Sequence, residues 1–275
     1  MTKDRFLRML IPSVPVLSRT PLAGILDIVD SFVKKNHPEW SQLPPASLRM
    51  RIGVGNKILR NHKYFIDSGN AIVTELSNKG YLSHDSHVME LGCGCGRNAI
   101  AMSKYLSERG SYCGQDVDQE MITWCQKHLQ NKQVEFHFAD IFSKVYNPHG
   151  KPTTDYKFPA SDSSINIIFS ISVFSHLLFA DSVHYIRESA RVLNKGGFLH
   201  MTLFVLDFLK DRLGDRWTFS HKVDKCYVDS LRYPEAAVAY DLSTLTEMLS
   251  SNGLVITEIY NKEMHQQTVI AKKEK

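Results

Sequence analysis

The chain has 275 residues, of which 43% are hydrophobic, and a formal net charge of +4. That is enough apolar material for a full core near the upper limit for one domain, and too little charge, with Lys and Arg scattered, for a nucleic-acid surface. Five cysteines, at 93, 95, 113, 125 and 226, make an odd set with no secretory signal, which fits reduced thiols in a cytoplasmic setting better than a disulfide framework.

In chain order, residues 1–85 read as an N-terminal helical extension. Its segment "FLRMLIPSVPVL" is basic and apolar, but Asp4, Pro12 and Pro15 and the lack of an A-x-A site argue against an export signal; a packed surface helix and a peripheral membrane contact are the readings left. No apolar run approaches the ~20 residues of a bilayer span, so no stable membrane insertion is expected. "RIGVGNKILRNHKYFIDSGN" then leads glycines and basic residues into the main domain, 86–275. Apolar runs predict buried strands at 87–91, 111–115, 134–138, 165–171, 198–206, 254–260 and 267–272. Between them, "NAIAMSKYLSERG" predicts a helix capped by Gly110, "DQEMITWCQKHLQN" one opened by Asp118, and "DSVHYIRESARVLNKGG" one stopped by its glycines. Strand and helix in alternation predict an α/β, Rossmann-like, mostly parallel sheet with helices on both faces. Ligands of such sheets bind beyond the carboxyl ends of the strands, at a switch point.

Gly92, Gly94 and Gly96 follow the first predicted strand and precede the first helix, where a tight turn lets a ligand approach the backbone. The spacing is G-x-G-x-G behind Glu90, which departs from the G-x-G-x-x-G of dinucleotide sites and favours a ligand carrying a cationic amine. The strand "SYCGQD" ends on Asp116, placed to accept from ribose hydroxyls. Cys93 and Cys95 read as small loop fillers, since no second Cys/His pair at zinc spacing accompanies them.

From Val88 onward the chain resembles the class I S-adenosylmethionine-dependent methyltransferases. "MELGCGCGR", "GQDVDQEMI", "FHFADIF", "SINIIFSISVFSHL" and "RVLNKGGFLHMTLF" occur in that family's order. The resemblance implies a seven-stranded sheet with an antiparallel last strand, and S-adenosyl-L-methionine as cofactor. It implies Glu90 and the glycine loop at the methionine portion, Asp116 at the ribose and Val117 on one adenine face. Asp140 would take the adenine amine with Ile141 beside it, and Ser170 would lie near the methionine amine. Taken singly, Asp116 reads as a helix cap and Asp140 as a turn acid; the shared register favours the cofactor roles. Arg97 reads equally as a solvated first-turn residue. Asp116, Asp118 and Glu120 mimic a metal cluster, but ribose contact, N-cap and first-turn acid account for them.

The end of the fourth predicted strand, "SISVFSHL", carries neither an N-P-P-Y-type sequence nor a carboxylate, so neither a nucleic-acid base nor a metal is expected there; "YNPHG" precedes that strand and is a decoy. His176, just past it, is the candidate general base, with helix packing as its alternative role. His221 is the second candidate, with a surface position as its default. Residues 1–85 and the 207–240 insertion, with Trp217, Phe219, Tyr227 and Tyr233, are the candidate lids; the aromatics fit a satellite core or a ring platform. "VYNPHGKPTTDYKFP" and "YPEAAVAYD" are similar to a bacterial subset accompanying glycan or secondary-metabolite biosynthesis, although "IYNKEMHQQTV" lacks that subset's tryptophan- and glycine-containing loop. The expectation is O-methylation of a small-molecule or glycan hydroxyl. The alternatives are N-methylation of a small-molecule or peptide amine, a nicotinamide-dependent oxidoreductase, and a non-catalytic cofactor-binding subunit.

Overall fold

The continuous apolar runs form the inner strands β1 (His87–Leu91), β2 (Ser111–Asp116), β3 (Val134–Phe138), β4 (Ile165–Ser170) and β5 (Leu193–Val205), all parallel. Two more, β9 (Leu254–Asn261) and β10 (Gln267–Lys273), complete the order β3-β2-β1-β4-β5-β10-β9, with β10 antiparallel to both its neighbours. The computed structural model describes residues 21–52, 61–144, 146–209, 217–261 and 266–274. The "FLRMLIPSVPVL" segment, all of "GVGNKILR", and parts of the 207–240 insertion and of "IYNKEMHQQTV" lie outside the described residues.

The sheet departs from the seven expected strands. The insertion adds β6 (His221–Val223), β7 (Cys226–Val228) and β8 (Val238–Tyr240), and β8 pairs in parallel with the far end of β5 through Phe204↔Ala239 and Val205↔Tyr240. These strands are short and follow no long apolar run, so periodicity does not reveal them.

Helices α1 (Pro21–Lys35) and α2 (Ala46–Arg49) precede α3 (His62–Asn78), which joins α4 (Arg97–Tyr105) and α5 (Gln119–His128) on one sheet face; α6 (Phe179–Val192) and α7 (Leu242–Ser250) cover the other. Ile72, Val73 and Leu76 of α3 share a core with Met102 and Ile122, while Tyr185, Ile186 and Leu245 pack on Met89, Leu91 and Met201. Fully burying one such side chain contributes roughly 1.5–3 kcal/mol, so the two apolar layers hold the sheet between them. Gly69 lets α3 and α4 touch: a Cβ there would lie 2.5 Å from the Arg97 carbonyl oxygen.

Two predicted helix ends are corrected. Helix α4 stops at Tyr105 and Leu106 is its cap; Gly110 belongs to the next turn, where a Cβ would come within 2.6 Å of the His84 carbonyl oxygen. Helix α6 runs straight into β5 at Leu193, and Gly196 (φ +80°) and Gly197 lie inside β5 where its register against β4 shifts. Asp118 does cap α5, accepting from the amides of Glu120 and Met121 at 3.1 and 3.3 Å.

Candidate functional site

The chain runs outward from β1 through β2 to β3, then crosses back to β4, so the switch point lies between β1 and β4. The loop after β1 and the crest after β4 face each other there. Gly92 and Gly94 both hold left-handed backbone (φ +74° and +54°). A Cβ on Gly92 would meet the Val173 Cγ2 at 2.4 Å, and one on Gly94 the Ile52 Cγ2 at 2.7 Å. Any side chain would therefore cost both strain and space. Gly96, also left-handed (φ +81°), is the N-cap of α4.

Glu90 is buried beneath this loop. Its carboxylate accepts from the Asn98 amide at 2.6 Å and from the Tyr112 hydroxyl. Burial pushes its pKa up to about 7, against the pull of those two donors. Asp116 ends β2 with one oxygen accepting from Gly94 N at 2.7 Å and the other from Asp118 N at 2.9 Å. Burial raises it to about 6 although both amides favour the anion. Each oxygen retains a lone pair for a further donor.

Strand register places Gln115, Leu91, Ser170 and Met201 in one row across β2, β1, β4 and β5. The Ser170 hydroxyl and the Gln115 side-chain nitrogen in that row are buried with no hydrogen-bond partner among the described residues. Buried polar atoms are ordinarily paired, so these orphans mark where a ligand's polar groups belong. Arg97 is half-buried rather than solvated, with its Nε also unpartnered.

Val117 lines a cleft of about 730 Å³ with Asp118, Trp124, Phe138, Tyr146 and Asn147. Asn147, within the "YNPHG" decoy, donates to the Asp140 carboxylate at 3.2 Å, and Lys151 stands 3.8 Å from the same group. Ile141 is buried beside them. Among the described residues no three His, Cys, Asp or Glu side chains converge on a metal-sized point. Cys93 and Cys95 are buried free thiols, with burial raising both and holding Cys95 at about 12.

The β4 crest turns at Ser172, left-handed at φ +60° and held by a bond from its amide to Thr202 Oγ1 (2.7 Å) and from its hydroxyl to Gln266 (2.9 Å). Such a conformation in a residue other than glycine persists only where surroundings impose it, and it aims the following residues. His176 follows, its Nδ1 2.8 Å from the Glu235 carbonyl oxygen. A carbonyl only accepts, so Nδ1 carries the proton and Nε2 keeps its lone pair. Desolvation lowers the pKa of His176 below the usual imidazole value, outweighing the carbonyl's opposite effect. The insertion is thus stitched to the crest: Val238 N donates to Ser175 O at 2.8 Å and the Tyr240 hydroxyl to Leu177 O at 2.7 Å. His221 lies on β6, exposed and three strands from β5, and is not brought to this crest. Phe219 is buried with Phe204, and Trp217 and Tyr227 pack against them as a satellite core; Tyr233 is exposed beneath Lys144.

Residues 88–197, spanning glycine loop and crest, match the methyltransferase-domain family. Over that stretch the chain is similar to methyltransferase domains. The chain is 29% identical over 115 residues, 42% of its length, to the arsenite methyltransferase of Aquipseudomonas alcaligenes, covering 32% of that enzyme. It is 30% identical over 114 residues, 41% of its length, to an uncharacterised 37.1 kDa protein in transposon TN4556 of Streptomyces fradiae, covering 28% of it. The match thus spans about a third or less of either relative. In fold, the methyltransferase domain and its flanks resemble an S-adenosylmethionine-dependent methyltransferase of Methanosarcina mazei (TM-score 0.52, 16% identity, 72% of this chain and 97% of that one). They resemble equally the [4+2]-cyclase SpnF (TM-score 0.52, 14% identity, 81% and 84%). One fold therefore serves two reactions, and the site must be argued from its residues.

The residues fit the family's cofactor. The glycine cradle admits only backbone approach, Asp116 retains acceptor capacity for hydroxyls, and Ser170 and Gln115 are orphaned beside it. Sequence reasoning missed Ile52, Tyr112, Gln115, Asn147, Ser172 and Val173. None has a local signal, and only strand register and long-range packing bring them to the site.

Proposed function

We propose that this chain transfers the methyl group of S-adenosylmethionine to a hydroxyl of a small molecule or glycan, with His176 as general base. The observation that carries the reading is the bond between His176 Nδ1 and the Glu235 carbonyl, which leaves Nε2 as a proton acceptor on the crest of β4. The cofactor supplies an electrophilic methyl, and alignment of donor and acceptor is worth up to ~7–11 kcal/mol. The chain's residues do the rest. Asp116 orients hydroxyls, Glu90 and the glycine loop receive the cationic end, the insertion orients the His176 ring through the Glu235 carbonyl, and His176 Nε2 takes the acceptor's proton as the methyl arrives.

The arsenite activity named for the Aquipseudomonas relative is not carried over. Trivalent arsenic is thiophilic, and Cys93, Cys95, Cys125 and Cys226 here are buried, with pKa values raised away from thiolate.

The test is release of S-adenosylhomocysteine from a panel of alcohol, amine and thiol acceptors, with wild type and His176→Asn compared on each acceptor that turns over. An alcohol is expected to be the substrate, and the variant to lose ~10²–10⁴-fold in turnover while cofactor affinity holds. Because desolvation lowers the His176 pKa, the wild-type rate should rise with pH through a value below the ordinary ~6.5. A flat profile with a fully active variant removes His176 and points to amine acceptors.

A further inference from the structure

Helix α1 is packed inside out. Asp30, 1% exposed, is paired with Arg49 at 2.6 Å and Lys34 at 2.9 Å, and Asp27 accepts from the Ser47 amide and hydroxyl at 2.8 and 2.7 Å. The charged face of the helix is therefore turned to the protein. The face toward solvent carries Ile25, Ile28, Val29 and Phe32, exposed by 60, 60, 42 and 60%. Their spacing of three, four and seven residues sets them in one stripe along the helix. A helix whose only partner is water shows the reverse arrangement, so this stripe is matched to an apolar medium.

The stripe is narrow. Four side chains on one helix fall well short of the ~800 Å² per partner of a stable protein interface, which argues against a second copy as its occupant. Charge beside it points elsewhere. Lys35 is exposed at the end of the helix with its ammonium 4.9 Å above the Phe32 ring. Setting aside the inward Asp27, Asp30 and Lys34, residues 1–35 hold five basic groups (Lys3, Arg5, Arg8, Arg19, Lys35) and one acid (Asp4), a balance of +4. The sequence before the helix adds Phe6, Leu7, Met9, Leu10 and Ile11 among those bases.

We propose that α1 is a peripheral membrane contact: it lies in the interface of an anionic bilayer, with Ile25, Ile28, Val29 and Phe32 entering the boundary between headgroups and acyl chains and Lys35 beside them meeting lipid phosphate. The anchor is shallow and reversible, since one short stripe enters the lipid. It is independent of the methyl-transfer reading.

The experiment is flotation of the full chain with vesicles of phosphatidylcholine mixed with phosphatidylglycerol, and with vesicles of phosphatidylcholine alone. The expected result is strong flotation with the mixed vesicles and weaker flotation without the anionic lipid. Ile28→Glu and Phe32→Glu should each lower partitioning by about tenfold or more, with melting temperature unchanged because both side chains are already exposed. Three results overturn the proposal. One is no flotation with either vesicle; another is flotation that both substitutions leave intact, which would be charge attraction alone. The third is a wild-type dimer in sedimentation that Ile28→Glu makes monomeric, which would give the stripe to a second copy.

Discussion

Asp30, on the inner face of helix α1, and Glu90, beneath the glycine loop, are each 1% exposed, yet the first has a pKa of about 2 and the second about 7. Burial raises both. At Asp30 the hydrogen bonds and charges of Arg49 and Lys34 outweigh it, whereas Glu90 receives its two hydrogen bonds from the neutral Tyr112 and Asn98. The N-terminal region therefore contains a closed electrostatic circuit, completed by Asn61 and His62 against Arg49 and Asp30. The loop region holds two buried acids to which, among the described residues, no cation is hydrogen-bonded; Arg97 acts on Glu90 only through space. A sulfonium and an ammonium group are what such a site would stabilise.

The comparison is broken most severely by Arg49→Ala, which removes the two-bond partner of the buried Asp30 carboxylate and leaves it with Lys34 and His62. Opening a buried pair in this way costs about 3–5 kcal/mol, so chemical denaturation should show a large drop in midpoint, partly restored by adding Asp30→Asn. A variant that unfolds like wild type would mean the circuit does not hold the N-terminal helices.

Next comes pH. Glu90 in the folded, ligand-free protein binds its proton more tightly than in the unfolded chain, so stability falls as pH rises from about 4.5 to about 7, by about 3 kcal/mol in all. Asp30 has the opposite sign: its contribution is present above about 3.8 and is lost as pH falls toward about 2. Urea unfolding across this range should show both limbs, and Glu90→Gln should remove the upper one between about 6 and 7 and make it shallower below that, where Asp116 contributes as well. An unchanged upper limb in that variant would assign the slope to other groups.

Cofactor affinity sharpens the contrast. Asp116→Ala should weaken binding by ~1.5–3 kcal/mol, since two hydroxyls lose a charge-assisted acceptor. In wild type, binding should tighten as pH rises through about 6, and the variant should lose that dependence. Calorimetry showing equal affinity in a folded variant would remove Asp116 from the site. The smallest effect is expected at Lys79, whose pair with Glu258 is about one-third exposed: Lys79→Ala should cost under ~1 kcal/mol in thermal unfolding.

These differences also explain what could be read in the sequence. Six of the seven long strands begin and end within one residue of their apolar runs, because a strand buried on both faces writes itself as continuous hydrophobicity, and β5 begins five residues before its run. Asp118 was legible as a cap because capping is local. Gly196 and Gly197 misled because a glycine pair after a helix ordinarily stops it, and here it bends a strand. The circuit of Asp30, Arg49 and His62 left no trace, since its members lie 13 to 32 residues apart and follow no period. Helix α1 was read only as part of a helical extension, and only packing reveals which of its faces is outside. At the candidate site the glycines and Asp116 stood out and the resemblance named Ser170, whereas the orphaned Gln115 atom beside it depends on a register that no single strand encodes.

Strand β10 is the last strand in chain order, yet it lies inside the sheet, between β5 and β9. During synthesis, β1 to β5 leave the ribosome well before Gln267–Lys273, and the edge of β5 from Phe198 to Leu203 waits unpaired for the end of the sheet to emerge. Until then it offers bare amides and carbonyls to any other nascent strand. Helix α7 and β9 follow β5 in sequence, and neither can close that gap. A chain interrupted before Gln267 would carry the whole glycine loop and crest, and would still be a hazard to its neighbours in the crowded space around a polysome.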